Sequence, residues 1–210
     1  MAPRLSDNGP NPPIIPVVVL DDEADALPLA DALLEGGLTS IEVTLRTPAG
    51  LKAAEQIVRN RPDMLVGVGT VLTPDDLKAC LDAAVHFTVS PGLSPKLLAA
   101  VVNSPRPHLP GCHTISEVMT CRENGLLDVK LFPASLVGGA AMAKAIAAVM
   151  PDIRACPTGG IKQDTVAETL AEPNIFAVGG TWLTPAKAIQ EKNWQHITNL
   201  ARDASAYLAR

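Results

Sequence analysis

Metal-binding spacing is missing from this chain. Cys80, Cys112, Cys121 and Cys156 form no Cys-x-x-Cys pair, so neither a structural zinc site nor a disulfide framework is indicated, and reduced core thiols are expected. His86, His108, His113 and His196 are equally scattered, without His-x-x-x-His or His-plus-carboxylate spacing, so no metal is expected. Lysine and arginine form no cluster, and a net charge of −5 gives no general attraction to nucleic acid or an anionic membrane. Any anionic ligand must therefore be held by a local site. No apolar run approaches the roughly 20 residues of a membrane span, and the first ten residues lack a signal-peptide core, so a cytoplasmic protein is expected. Gly67-Val-Gly69 lacks the third glycine of a dinucleotide fingerprint. Aromatics are scarce at 3% within an ordinary globular balance of 47% hydrophobic and 19% charged residues. With 210 residues and no composition shift, one domain with one sizeable core is the simplest reading.

Against these absences one residue stands out. The run 126–132, Leu-Leu-Asp-Val-Lys-Leu-Phe, has Gly125 before it and Pro133 after it and reads as a buried strand ended by proline. Alternation puts Leu127, Val129 and Leu131 on one side and Asp128, Lys130 and Phe132 on the other. Lysine is almost never buried without a partner or a task. An apolar setting disfavours its ammonium form and makes a nucleophilic amine available, which suits Schiff-base chemistry on a carbonyl. The plainer alternative is an edge-strand lysine that snorkels to water.

Residues 1–13 carry four prolines and read as a loose N-terminal arm or short helix, followed by one domain over 14–210. Strand signals at 14–20, 40–46, 65–71, 86–90, 107–112, 126–132, 153–158 and 175–179 alternate with helix signals, the fifth strand being the weakest. This pattern predicts an α/β fold, a compact single (β/α)8 TIM barrel. Thr47-Pro48, Thr73-Pro74, Ser94-Pro95 and Thr184-Pro185 each sit between a strand and a helix, where a hydroxyl cap followed by proline suits a helix start.

In such a barrel the C-terminal strand ends converge on one open face, where sites are built. On the second strand Glu42, Thr44 and Arg46 share the face opposite Ile41, Val43 and Leu45, so they are expected to point inward. A carboxylate and a guanidinium there are costly unless they serve each other or a ligand. Thr70 ends the third strand beside Gly69. The seventh and eighth strands end in Pro157-Thr-Gly-Gly160 and Val178-Gly-Gly-Thr181, paired glycines that let backbone N–H groups approach a phosphate. Cys112-His113 is adjacent in sequence but not a working dyad, and Lys162 and Arg154 read as surface charges.

Glu42-Val-Thr-Leu-Arg-Thr47, Gly67-x-Gly-Thr-Val-Leu72, Ser90-Pro-Gly92, Pro110-Gly111, Lys130-x-Phe-Pro-Ala134, Cys156-Pro-Thr-Gly-Gly-Ile161 and Gly179-Gly-Thr-Trp-Leu183 keep their order over residues 14–210. Together they resemble the 2-keto-3-deoxy-6-phosphogluconate (KDPG) aldolases, also known as 4-hydroxy-2-oxoglutarate aldolases. The resemblance implies that Lys130 forms the Schiff base, Glu42 is the general acid/base, Arg46 and Thr70 hold the pyruvyl carboxylate, and Pro91 and Phe132 line the pocket. It further implies that Thr158, Gly159, Gly160, Gly179, Gly180 and Thr181 hold the phosphate end, with threonine at 181 where the family commonly has serine. A phosphorylated 2-keto acid substrate, pyruvate as product, no metal or organic cofactor and a homotrimer follow as expectations. Alternatives are cleavage of 4-hydroxy-2-oxoglutarate or the galactonate epimer, a phosphate-binding barrel isomerase or epimerase, and a non-catalytic sugar-phosphate-binding protein.

Overall fold

The computed structural model describes residues 2–7 and 14–206. Its described strands are β1 (Ile14–Val18), β2 (Ser40–Thr44), β3 (Leu65–Gly69), β4 (Phe87–Val89), β5 (His108–Leu109), β6 (Gly111–Cys112), β7 (Asp128–Leu131), β8 (Arg154–Pro157) and β9 (Val178–Gly180). They form two parallel sheets, one of six strands in the order β5-β4-β3-β2-β1-β9 and one of three in the order β6-β7-β8. Helices fill the crossovers, as parallel pairing requires, among them Ala26–Glu35, Gly50–Asn60, Pro74–Asp82, Ile115–Glu123 and Gly139–Val149.

The expected fifth strand is present in two pieces, and the break falls at Pro110. Proline has no N–H to give to a ladder. Its carbonyl still accepts from Lys130 N at 2.8 Å, so the seam keeps half of its pairing. Two isolated parallel bridges, Ala155↔Ile175 and Thr158↔Gly179, link the segments of β8 and β9.

Alternation sorts the apolar residues into two clusters. Ile41, Val43, Val66, Val68, Val129 and Leu131 join the helices in the larger one. Ile15, Phe87, Val89, Leu109, Cys156 and Ala177 form the smaller one on the opposite strand face, with Leu5 inserted among them. The expected loose arm is thus corrected for residues 2–7, because Arg4 and Ser6 hydrogen-bond to Asp128 and Leu5 is buried. The rest of that arm, 8–13, lies outside the described residues.

Two of the four hydroxyl-proline corners cap helices as expected. Thr73 accepts from Asp76 N in a capping box, and Ser94 accepts from Leu97 N. Thr47 and Thr184 do not cap. Their hydroxyls donate instead to the carbonyls of Leu20 and Val17, tying the corners after β2 and β9 to the β1 segment. A further capping box at Thr114 and Glu117 carries the Thr-x-x-Glu signature but went unread in the sequence.

Candidate active site

All four residues of β7 are buried, which places a lysine and an aspartate in the protein interior. Val129 and Leu131 take the helix side, so Lys130 and Asp128 face the smaller cluster. On β2, Ile41 and Val43 do the same and leave Glu42 facing Lys130. Lys130 Nζ donates to Glu42 Oε1 at 3.2 Å, with the two side chains 6% and 4% exposed. The Phe132 ring centroid lies 5.2 Å from the same nitrogen. This arrangement excludes the edge-strand reading, in which the amine would reach water.

Glycines on β3 leave room for Glu42 and for the Phe87 ring. A Cβ on Gly69 would fall 2.0 Å from Glu42 Oε1, and one on Gly67 would fall 2.2 Å from the Phe87 ring. Cys156, the register partner of Lys130 on β8, is also enclosed. Burial pushes its thiol up to about 12, against smaller opposing effects of the Thr158 hydrogen bond and the Lys130 charge. The thiol therefore stays neutral and does not compete with the amine as a nucleophile.

The glycine corners meet. Thr158 pairs with Gly179 in a parallel bridge, and a Cβ on Gly179 would lie 2.4 Å from Thr158 Oγ1. Gly159 and Gly160 have φ of 91° and 81°, left-handed conformations that favour glycine. They lie against the segment after Lys130, where Ala134 N donates to Thr158 O at 2.8 Å and Ser135 N to Gly159 O at 3.0 Å. Gly180 is covered by Trp182, and Thr181 is exposed.

The remaining strand-end residues are placed less uniformly. Thr44 is buried, and its hydroxyl is committed to the Val18 carbonyl at 2.9 Å. Arg46 departs from expectation: β2 ends at Thr44, so Arg46 lies in the following turn and is exposed rather than pointing inward by strand alternation. Thr70 is half-buried with φ of 64°, a left-handed residue at the end of β3. Pro91 is exposed just after β4, and Phe132 is half-buried. A groove of about 290 Å³ lined by Ile115, Met119, Arg122, Glu123, Val149 and Met150 lies on the helix side and shares none of these residues.

Three clusters were not anticipated. Arg4 and Ser6 on Asp128 is the first. His108 is the second: it is buried between Thr88 Oγ1 at 2.8 Å and Ser90 Oγ at 3.0 Å, and burial lowers its pKa to about 3. The third is a contact of 3.6 Å between the Cys112 and Cys121 sulfurs, which sequence reading treated as unrelated.

Comparison with known proteins matches residues 9–200 to the family model "KDPG and KHG aldolase". The chain is 44% identical over 191 residues to a 2-dehydro-3-deoxy-phosphogluconate aldolase of Pseudomonas aeruginosa, covering 91% of this chain and 87% of the relative. It is 40% identical over 192 residues to the KHG/KDPG aldolase of Escherichia coli K12, covering 91% and 90%. A crystal structure of the Legionella pneumophila KDPG aldolase, with pyruvate captured at low pH as a covalent carbinolamine intermediate, superposes with a TM-score of 0.88 at 44% identity, covering 91% of this chain and 93% of that one.

Proposed function

The chain belongs to the KDPG and KHG aldolase family, and we infer from that membership that it is a class I aldolase, cleaving 2-keto-3-deoxy-6-phosphogluconate reversibly to pyruvate and glyceraldehyde 3-phosphate. The observation that carries this reading is the buried Lys130–Glu42 pair at 3.2 Å. An ion-pairing lysine and glutamate taken out of water gain little stability over apolar side chains of similar size, so a task is the better account of their presence. The captured carbinolamine in the Legionella relative supports the same covalent route.

In this reading Lys130, as the neutral amine, attacks the C2 ketone, and loss of water gives an iminium that withdraws electrons from the C3–C4 bond. Glu42 takes the C4 hydroxyl proton as that bond breaks, leaving the aldehyde product and an enamine of pyruvate on the lysine. Protonation at C3 and hydrolysis return Lys130 and release pyruvate. The iminium is the electron sink, so the proposed route asks for no metal or organic cofactor. Arg46 and Thr70, at the ends of β2 and β3, hold the pyruvyl carboxylate, and Pro91 and Phe132 line the pocket. Arg46 meets its ligand from the rim, which suits a planar guanidinium fork reaching a carboxylate at the mouth. Thr158, Gly159, Gly160, Gly179, Gly180 and Thr181 hold the phosphate through backbone N–H groups and hydroxyls. The E. coli relative's name favours 4-hydroxy-2-oxoglutarate as a second substrate.

The two sheets are read as one closed (β/α)8 barrel. Support comes from the break at Pro110, which divides a single fifth strand, and from the bridges that join the β8 and β9 segments. The resemblance supports a homotrimer, and the composition supports a cytoplasmic setting. Among the described residues no helix is long and apolar enough to cross a membrane.

Borohydride reduction in the presence of pyruvate tests the chemistry. Intact mass and peptide mapping should find one reduced pyruvyl group, at Lys130. Labelling of another lysine, or of none, removes the aldolase assignment.

A further inference from the structure

The strand face that carries Lys130 also carries Asp128, and the chemistry assigned above gives that carboxylate no task. Asp128 is only 4% exposed. Its Oδ1 accepts from Arg4 Nε at 3.1 Å, Arg4 Nη2 at 3.0 Å and the Ser6 hydroxyl at 2.9 Å, while Oδ2 accepts from Ser6 N at 2.7 Å. Between these two residues Leu5 is buried in the same small cluster as Phe87, Val89 and Leu109. Residues 4–6 therefore cover the N-terminal end of β7, opposite the end where the strand-end residues gather. The partners of this carboxylate lie 122 and 124 residues away in the chain.

We propose that Arg4 is a positioning residue for Lys130, neutralising Asp128 so that its charge does not hold the lysine in the unreactive ammonium form. The proposal rests on Lys130 being the Schiff-base residue. Residues two apart on a strand face stand roughly 6.6 Å apart. At an effective dielectric of about 20, a unit charge at about 7 Å moves a proton equilibrium by on the order of one to two pH units.

Apart from Asp128 and Arg4, the charged and titratable groups around the amine are the same residues in every variant of the test. Glu42 faces it from β2, and Cys156 faces it from β8 as a neutral thiol. Arg154, the β8 register partner of Asp128, has a buried Nε without an acceptor and contributes a fixed positive charge. Asp152, the other carboxylate that feels Arg4, is already paired with Arg122 at 2.9 Å. Gly111 of β6, the remaining register partner of Lys130, carries no charge.

The test is the pH profile of kcat/KM in full-length variants. Arg4→Gln keeps a donor and removes the charge, so its acid limb should move up by about one pH unit, with a roughly tenfold loss of rate below that limb. Asp128→Asn leaves Arg4 unopposed, so its limb should move down. The double variant Arg4→Gln/Asp128→Asn carries neither charge and should return to the wild-type profile. Opposite shifts that cancel are not produced by a plug that only stabilises the fold. If Arg4→Gln does not fold, Asp128→Asn and the double variant still decide the matter. Limbs that coincide with wild type in the folded variants, with only Tm lowered, overturn the proposal. Borohydride mapping of the wild-type protein keeps the two readings apart: trapping at Lys130 with unmoved limbs defeats only this inference, whereas no trapping at Lys130 defeats the chemistry beneath it.

Discussion

Replacing Glu42 by glutamine separates a working carboxylate from a structural one. The change is nearly isosteric and keeps a polar partner for Lys130 at the 3.2 Å contact. If the pair existed for stability, removing one member would strand a buried charge at a cost of about 3–5 kcal/mol. For a domain of this size that corresponds to a fall in Tm of roughly 6–20 °C, at about 2–4 °C per kcal/mol. Lys130 has an alternative, because a buried amine can shed its proton. The loss then shrinks towards that of one ordinary hydrogen bond, about 1 kcal/mol, or roughly 2–4 °C. We expect this smaller stability loss together with a fall in kcat of about 10² to 10⁴, the usual contribution of a positioned acid/base. Pyruvate should still be trapped on Lys130. Melting temperature and single-turnover cleavage rate per folded molecule are the two measurements. A near-normal rate combined with a large drop in Tm would refute the assignment of Glu42 as the proton-transfer group.

Two further expectations concern other parts of the molecule. Gly179→Ala places a methyl 2.4 Å from Thr158 Oγ1, so the glycine corners must open; overpacking of about 1–3 kcal/mol predicts a loss of roughly 10- to 100-fold in kcat/KM for the phosphorylated substrate. The rate of pyruvate trapping should stay within a few-fold, and equal losses on phosphorylated and dephosphorylated substrates would dismiss these corners as the phosphate site. His108 has its pKa lowered to about 3 by burial, whereas the unfolded value is near 6.5. Below about pH 6.5 the unfolded chain binds a proton that the folded one refuses, so stability falls as pH drops from there towards 3. His108→Gln should remove about 2–3 kcal/mol of the stability difference between pH 7 and pH 4.5 in denaturant titrations, and an unchanged difference would contradict the burial of a neutral imidazole.

The strands were legible because β-branched runs bounded by glycine and proline announce them, and alternation put Glu42 on the inward face of its strand and Lys130 on the face opposite Val129 and Leu131; that the two meet is visible only in the structure. Alternation does not say where a strand stops. Arg46 was carried inward on a ladder that ends at Thr44, two residues short of it. Hydroxyl-proline corners were read as caps, but a hydroxyl chooses among nearby acceptors and donors. At Thr47 and Thr184 a carbonyl of the neighbouring β1 segment won over the helix N-terminus. The left-handed backbone at Thr70 leaves no mark in composition. Least legible was the docking of Arg4 and Ser6, because a contact across more than 120 residues is a property of the folded chain and not of either segment. Asp128 was the available clue, an acidic residue on the lysine's own strand face with nothing local to satisfy it.

The vacancy at position 69 bears on how such a site can change over time. Glu42 occupies volume that any side chain at position 69 would claim, since even a methyl there would overlap its carboxylate oxygen. That methyl would have to displace the carboxylate, while the neighbouring Val66 and Val68, packed towards the helices, need not move. The carboxylate's orientation is thus heritable through a residue that contributes no side-chain atoms, and a glycine-to-alanine change, reachable by one nucleotide, is a short route from a working site to an inert one.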